Sequence, residues 1–174
     1  LIVLAEWKKK VYDFSKGIRA ISSSIRRSIP AFLDSKIHHN NMLSLVIAKM
    51  HANIAGFDAA VMLDERGFVA ELNDTNLFMV KNNKVYTPFP HACLPGITRG
   101  TFMDLLKENN IKIEERDLTL VEFINADLVF ATGTNGEITP VTEMEGREIK
   151  CDQDFLEKIK NLFEAKLPSL CEPL

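Results

Sequence analysis

Residues 31–43, AFLDSKIHHNNML, set one lysine, Lys36, and two histidines, His38 and His39, in a proline-led loop just ahead of a long apolar run. Most lysines are solvated surface charges. A buried one can lose its proton and serve as the amine that condenses with an aldehyde. Glu71, in FVAELNDTNLF, follows an alternating strand. It reads either as a strand-end carboxylate or, if buried against a pyridine nitrogen, as the charge that keeps that nitrogen protonated and makes the ring an electron sink.

Two glycine turns suit an anion. In PGITR, residues 95–99, Gly96 precedes a helix whose first amides lack partners and lie at the positive end of the helix dipole. The second, TGTNGE at 132–137, adds the hydroxyls of Thr132 and Thr134 and further free amides. Either turn alone is a weak signal, because short glycine turns commonly do no more than reverse the chain.

The remaining reactive types point nowhere definite. His38 and His39 are neighbours on extended backbone, so their side chains diverge, and no third ligand follows at regular spacing; no metal site is expected. His51 falls inside the apolar run and reads as a hydrogen-bonded core histidine, His91 beside Pro90 as a loop residue. Cys93 is a nucleophile only beside a base, and no pattern announces one.

Positioning these groups falls to a single mixed unit. With 174 residues and 46% hydrophobic content, the chain is long enough for one domain with a substantial core. Twenty-one basic against 24 acidic residues leave a net charge of -3, which offers no basic field to nucleic acid or an anionic membrane, so a small-molecule partner is expected. Cys93, Cys151 and Cys171 are widely spaced, which favours reduced thiols over a disulfide framework or a zinc site. The opening LIVLA meets Glu6 after five residues, too short for a signal core or a span. A cytoplasmic protein is the expectation. A start at Leu1 rather than Met suggests that something upstream is missing.

LIVLAEW and GIRAISSSI read as β-rich segments. From Asn40 to Ala55, apolar residues on nearly all sides predict a mostly buried helix, capped by Asn40 or Asn41 and stopped at Gly56. Residues 59–71 and 76–88 read as strand pairs, the second turning tightly at Asn82 and Asn83. A helix beginning near Thr98 turns Phe102, Leu105 and Leu106 to one face. IKIEERDL reads as a strand, and TLVEFINA as a short helix with Thr119 and Glu122 at capping-box spacing. LVFATGTNGEITPV reads as strand, turn, strand; the tail from Asp152 is an amphipathic helix with Phe155, Ile159, Leu162 and Phe163 inward. The fold class is mixed α/β of the α+β type.

Taken in order, four motifs carry a resemblance: K-x-x-x-N from Lys36, GFVAE-x-x-x-x-NLF with Glu71 and Asn76, LPGITR, and DLVFATGT-x-GEITPV. Together, over about residues 17–148, they resemble the fold-type IV pyridoxal phosphate enzymes, which include branched-chain aminotransferases, D-amino acid aminotransferases and aminodeoxychorismate lyase. The resemblance implies the large domain of that fold, strands and helices in a pseudo-barrel, over residues 17–174, with residues 1–16 the connection from a small N-terminal domain. It implies pyridoxal 5'-phosphate as cofactor, an amino acid and a 2-oxo acid as substrates, and a homodimer.

By the same resemblance, Lys36 is the lysine that links to the cofactor and carries the proton; Glu71 pairs with the pyridine nitrogen. Leu94 packs on the ring; Ile97 and Thr98 after Gly96, with Thr134, hold the phosphate; Gly133 and Asn135 lie near the substrate carboxylate. The reaction implied is transamination, most similar to the branched-chain group through GTNGEITPV. The lyase and D-amino acid reactions stand as alternatives on the same fold. One departure is Asn41, or Met42 if the extra residue between Lys36 and Glu71 lies earlier, where many branched-chain members carry tyrosine five residues after the lysine. Together with the expected loss of an arginine that the family's small domain supplies to the phosphate, this departure supports a rival of another class, a catalytically silent truncated paralogue with a structural role.

Overall fold

The computed structural model describes residues 4, 6, 16–134 and 137–170. The β-rich reading of residues 1–7 and the expected connection over 1–16 therefore lie outside the described residues, apart from Leu4, Glu6 and Lys16. The elements run β1 (Ile18–Arg26), α1 (Leu43–Ile54), β2 (Ala59–Leu63), β3 (Val69–Leu72), β4 (Asn76–Lys81), β5 (Lys84–Thr87), α2 (Ile97–Glu108), β6 (Ile113–Glu115), α3 (Leu120–Ile124), β7 (Leu128–Gly133), β8 (Glu137–Met144), β9 (Arg147–Glu148) and α4 (Gln153–Leu170).

Among the described residues the strands form one sheet in the order β3-β2-β1-β8-β7-β4-β5-β6, with β9 added to β8. Side chains alternate across a strand, so a sheet covered on both faces needs apolar residues at nearly every position. β7 meets that requirement: Val129 and Ala131 enter one core cluster, Leu128 and Phe130 another. β4 repeats it with Leu77 and Met79 against Phe78 and Val80. The first cluster gathers residues of β1, β2, β3, β4, β7 and β8 around Phe123 of α3, so the sheet curls around its inner face. On the outer face α2 and α4 cover β4, β5, β7 and β8. There Phe78 stacks on Phe130 at 5.2 Å between ring centroids, and Phe102 meets both rings edge-on.

Local signals land where the sequence puts them. Asn82 and Asn83 have φ of 52° and 58°, the left-handed pair that a two-residue hairpin between β4 and β5 requires. Thr119 and Glu122 form a complete capping box at α3. Phe102, Leu105 and Leu106 of α2 are buried, as are Ile159 and Phe163 of α4, with Phe155 and Leu162 half-buried beside them.

α1 departs from its expectation. It crosses over β1 and β2, which run parallel, and packs through Ala48 and Ala52 against Ala60 and Met62. Leu43, Val46, Met50 and Ile54 stay exposed, and so does His51, which is no core histidine. Apolar residues on nearly all sides predict a buried helix, yet only the side holding two alanines meets the sheet. Its cap is also displaced: the helix starts at Leu43, Met42 takes the N-cap position without a side-chain bond, and neither Asn40 nor Asn41 caps it. The stop is as expected, with Gly56 at φ +80° after Ala55.

Candidate functional site

Glu71 lies inside β3 at the sheet margin, paired in register with Met62, and is 6% exposed. It is a buried carboxylate, not a solvated strand end. The hairpin that delivers it is fixed by Asp64, whose Oδ1 accepts the backbone N–H groups of Arg66 and Phe68 around Gly67.

Two buried side chains meet this carboxylate. Arg27, immediately after β1, places Nε 3.0 Å from Glu71 Oε1. The same Nε donates to the carbonyl of Ala92 at 3.0 Å. Asn76, first residue of β4, donates from Nδ2 to Glu71 Oε2 at 3.2 Å and to the Leu94 carbonyl at 2.9 Å. Burial pushes the Glu71 carboxyl up to about 8, while Arg27 and a backbone hydrogen bond from Leu94 oppose the rise. Burial likewise pushes the Cys93 thiol up to about 12, so it is no ready nucleophile.

Glu71 borders a cavity of about 110 Å³ whose walls include Arg27, Ser35, His38, His39, Asn73 and Leu94. Lys36 is not among them. Its Nζ sits 3.7 Å from Asp34 Oδ2, half-exposed, in a separate depression with Pro30, Glu65, Arg66 and His91. Ser35 and Ile37, its neighbours in sequence, line the Glu71 cavity, so the loop reaches the cavity while the amine faces away from it.

The anion elements come together elsewhere. Ile97 and Thr98 at the start of α2 share a depression of about 220 Å³ with Gly133 and Thr134 at the end of β7. Gly96 has an ordinary backbone, with φ of -59°, so conformation does not demand glycine there. Space does: a Cβ would stand 2.3 Å from Asn76 Oδ1. Asn76 thus couples Glu71, the Leu94 carbonyl and the approach to α2. Thr132 carries a buried hydroxyl with no hydrogen-bond partner among the described residues. Asn135 lies outside the described residues.

These parts fit a flat ring with a protonatable nitrogen at Glu71 and a phosphate at the opened helix terminus. The buried carboxylate and the shared depression of Ile97, Thr98 and Thr134 suit it. The amine of Lys36 joins them only after leaving Asp34. Sequence reasoning missed Arg27 and gave Asn76 no role. Arg27 lies 44 positions before Glu71, next to a second arginine, and nothing local marks which of the two turns inward.

The family profile for amino-transferase class IV matches residues 1–144. The chain is 53% identical over 149 residues to branched-chain-amino-acid aminotransferase-like protein 2 of Arabidopsis thaliana, covering 86% of this chain and 27% of that protein. The crystal structure of the branched-chain amino acid aminotransferase from Escherichia coli superposes with a TM-score of 0.82 at 32% identity, covering 86% of this chain and 52% of that one. That of the branched-chain amino acid aminotransferase from Thermobaculum terrenum, in its PLP-form, gives 0.82 at 28% identity, covering 87% and 50%. The chain spans from about a quarter to about half the length of these relatives. By the match of its first 144 residues and by its curled mixed sheet, the chain belongs to the class IV amino-transferases.

Proposed function

We propose that the chain is the cofactor-bearing part, over residues 17–174, of a pyridoxal phosphate-dependent aminotransferase that moves the amino group between an amino acid, of the branched-chain type, and a 2-oxo acid. The observation that carries this is the buried Glu71 carboxylate, paired with Arg27 and bonded by Asn76 beside Leu94. A carboxyl held this way at a cavity wall, with its proton affinity strongly perturbed by burial, is the kind of group that marks a functional site.

In this reading Glu71 opposes the pyridine nitrogen, Leu94 packs on the ring, and the amides of Ile97 and Thr98 with Thr134 hold the phosphate. When bound, pyridoxal phosphate supplies the electron sink for loss of the substrate α-proton and carries the amino group between half-reactions. Lys36 would hold the cofactor through Nζ and would take the proton from the substrate α-carbon, which requires Nζ to leave Asp34. Gly133, and by the family resemblance Asn135, would serve the substrate carboxylate. Residues 1–16 connect to a further domain that completes the substrate pocket, and the protein works as a cytoplasmic homodimer.

A catalytically silent relative is the second reading. It is favoured by the amine of Lys36 lying with Asp34 in a depression apart from Glu71, and by Asn41 standing where tyrosine is common in the branched-chain group. Turnover of a branched-chain amino acid with 2-oxoglutarate by the full-length protein, further domain included, with Lys36→Ala alongside, separates the two. Aminotransferase activity that Lys36→Ala abolishes supports the first reading. Full activity in that variant refutes the role of Lys36, and no activity in either supports the second.

A further inference from the structure

Arg27 is placed by more than its charge. Its backbone N–H donates to the Leu63 carbonyl at 2.9 Å, so the strand end from which it projects is tied to β2. Its Nε–H donates to the Ala92 carbonyl at 3.0 Å, and the same nitrogen stands 3.0 Å from Glu71 Oε1 as an ion pair. The Arg27 and Glu71 side chains are 10% and 8% exposed, so little water screens the pair. Asn76 grips the other carboxylate oxygen and the Leu94 carbonyl. The carboxylate is therefore held at both oxygens, and each holder also grips the 92–94 loop.

From this geometry we infer that Arg27 is a positioning residue of the cofactor site: through Nε it holds Glu71 ready to ionise and locked to the loop carrying Leu94, so that the cavity selects a cationic ring nitrogen over a neutral one. The inference rests on the cofactor reading for its ligand, but not for its ion pair. An isolated carboxylate at this depth takes up a proton, and a protonated carboxyl has no charge with which to hold a pyridinium. A guanidinium, effectively always charged, is the cation suited to oppose that.

Other charged groups also face Glu71. Asp74 in the β3–β4 turn raises its proton affinity, and Arg99 of α2 lowers it. Arg99, however, is engaged with Glu115 at 2.6 Å and with the Pro88 carbonyl at 2.9 Å. His38 and His39 border the same cavity, and the Cys93 thiol lies within electrostatic reach of Glu71. Of these, only Arg27 forms an ion pair with Glu71 among the described residues.

The test is the titration of Glu71 in the intact, cofactor-free chain, followed by the side-chain carboxyl carbon resonance of glutamate-labelled protein and assigned with Glu71→Gln. Arg27→Met is expected to move the midpoint up by about 1 to 3 pH units. Arg27→Lys keeps the charge but loses the Nε contact, and should move it part of the way. A midpoint unchanged in a folded Arg27→Met overturns the inference; if that variant does not fold, an unchanged midpoint in Arg27→Lys overturns it. Pyridoxamine 5'-phosphate, which cannot link to Lys36, serves as the binding probe. Its affinity should fall about tenfold for each pH unit by which the midpoint rises above the working pH. If the midpoint moves as expected but the native chain binds no probe, the ion pair stands and the cofactor reading fails.

Discussion

Replacing Glu71 by Gln should flatten the dependence of stability on pH. In the folded chain burial pushes the carboxyl from 4.5 up to about 8. Between those values the folded state holds a proton on Glu71 that the unfolded chain has released. Stability from this group is therefore fully present below pH 4.5 and is lost as pH rises through about 8. The slope approaches one proton, or about 1.4 kcal/mol per pH unit, in mid-window. From pH 5.5 to 7.5 the native chain should lose about 2 to 3 kcal/mol on this account alone. Glu71→Gln removes the titration. It also leaves the Arg27 guanidinium buried without its carboxylate, at a cost of about 3 to 5 kcal/mol where the pair is ionised. Between pH 5.5 and 7.5 the folded chain holds Glu71 mostly protonated, so that cost enters in full only above about pH 8, and the slope within the window is the diagnostic quantity. Urea unfolding of both proteins at the two pH values measures it. Parallel pH profiles for native and variant would refute the reasoning, because they would mean that Glu71 titrates alike in the folded and unfolded chain.

Two other perturbations follow from packing. Phe102→Ala empties a fully buried site between Phe78, Phe130 and Phe163 and should cost about 3 to 5 kcal/mol in urea unfolding; a loss below about 1 kcal/mol would contradict the packing described. Gly96→Ala drives a methyl to within 2.3 Å of Asn76 Oδ1, so Asn76 must release Glu71 or Leu94, and unfolding should show a loss of about 1 to 3 kcal/mol. Neutral behaviour of that variant would show that the approach to α2 can shift without cost.

The legible part of this fold is the part written in short-range patterns. Asn82–Asn83, the Thr119–Glu122 box and the spacing of Phe102, Leu105 and Leu106 each act within a few residues, and each appears in place. α1 escapes such a reading because apolar content says how much surface a helix would bury, not what stands opposite. Among the described residues β1 and β2 are its main packing partners, and the alanines face them while Leu43, Val46, Met50 and Ile54 stay exposed. The candidate site is half legible. Glu71 and the two glycine turns show in their local sequence, whereas the Arg27 pair depends on parallel pairing of β1 with β2 and antiparallel pairing of β2 with β3. No local pattern encodes a contact made through three strands. The direction of the Lys36 side chain, toward Asp34, is set by one turn of loop in which Lys36 N–H donates to Asp34 Oδ1, a bond that motif spacing does not reveal.

Lys36 is the residue on which the proposed function most depends. The most direct measurement is to incubate the intact chain with pyridoxal phosphate, reduce with borohydride, and locate the modified peptide by mass spectrometry, with Lys36→Ala in parallel. One dominant adduct at Lys36, absent from the variant, is the expected result. Labelling spread over surface lysines, or an adduct that survives in Lys36→Ala, would contradict it.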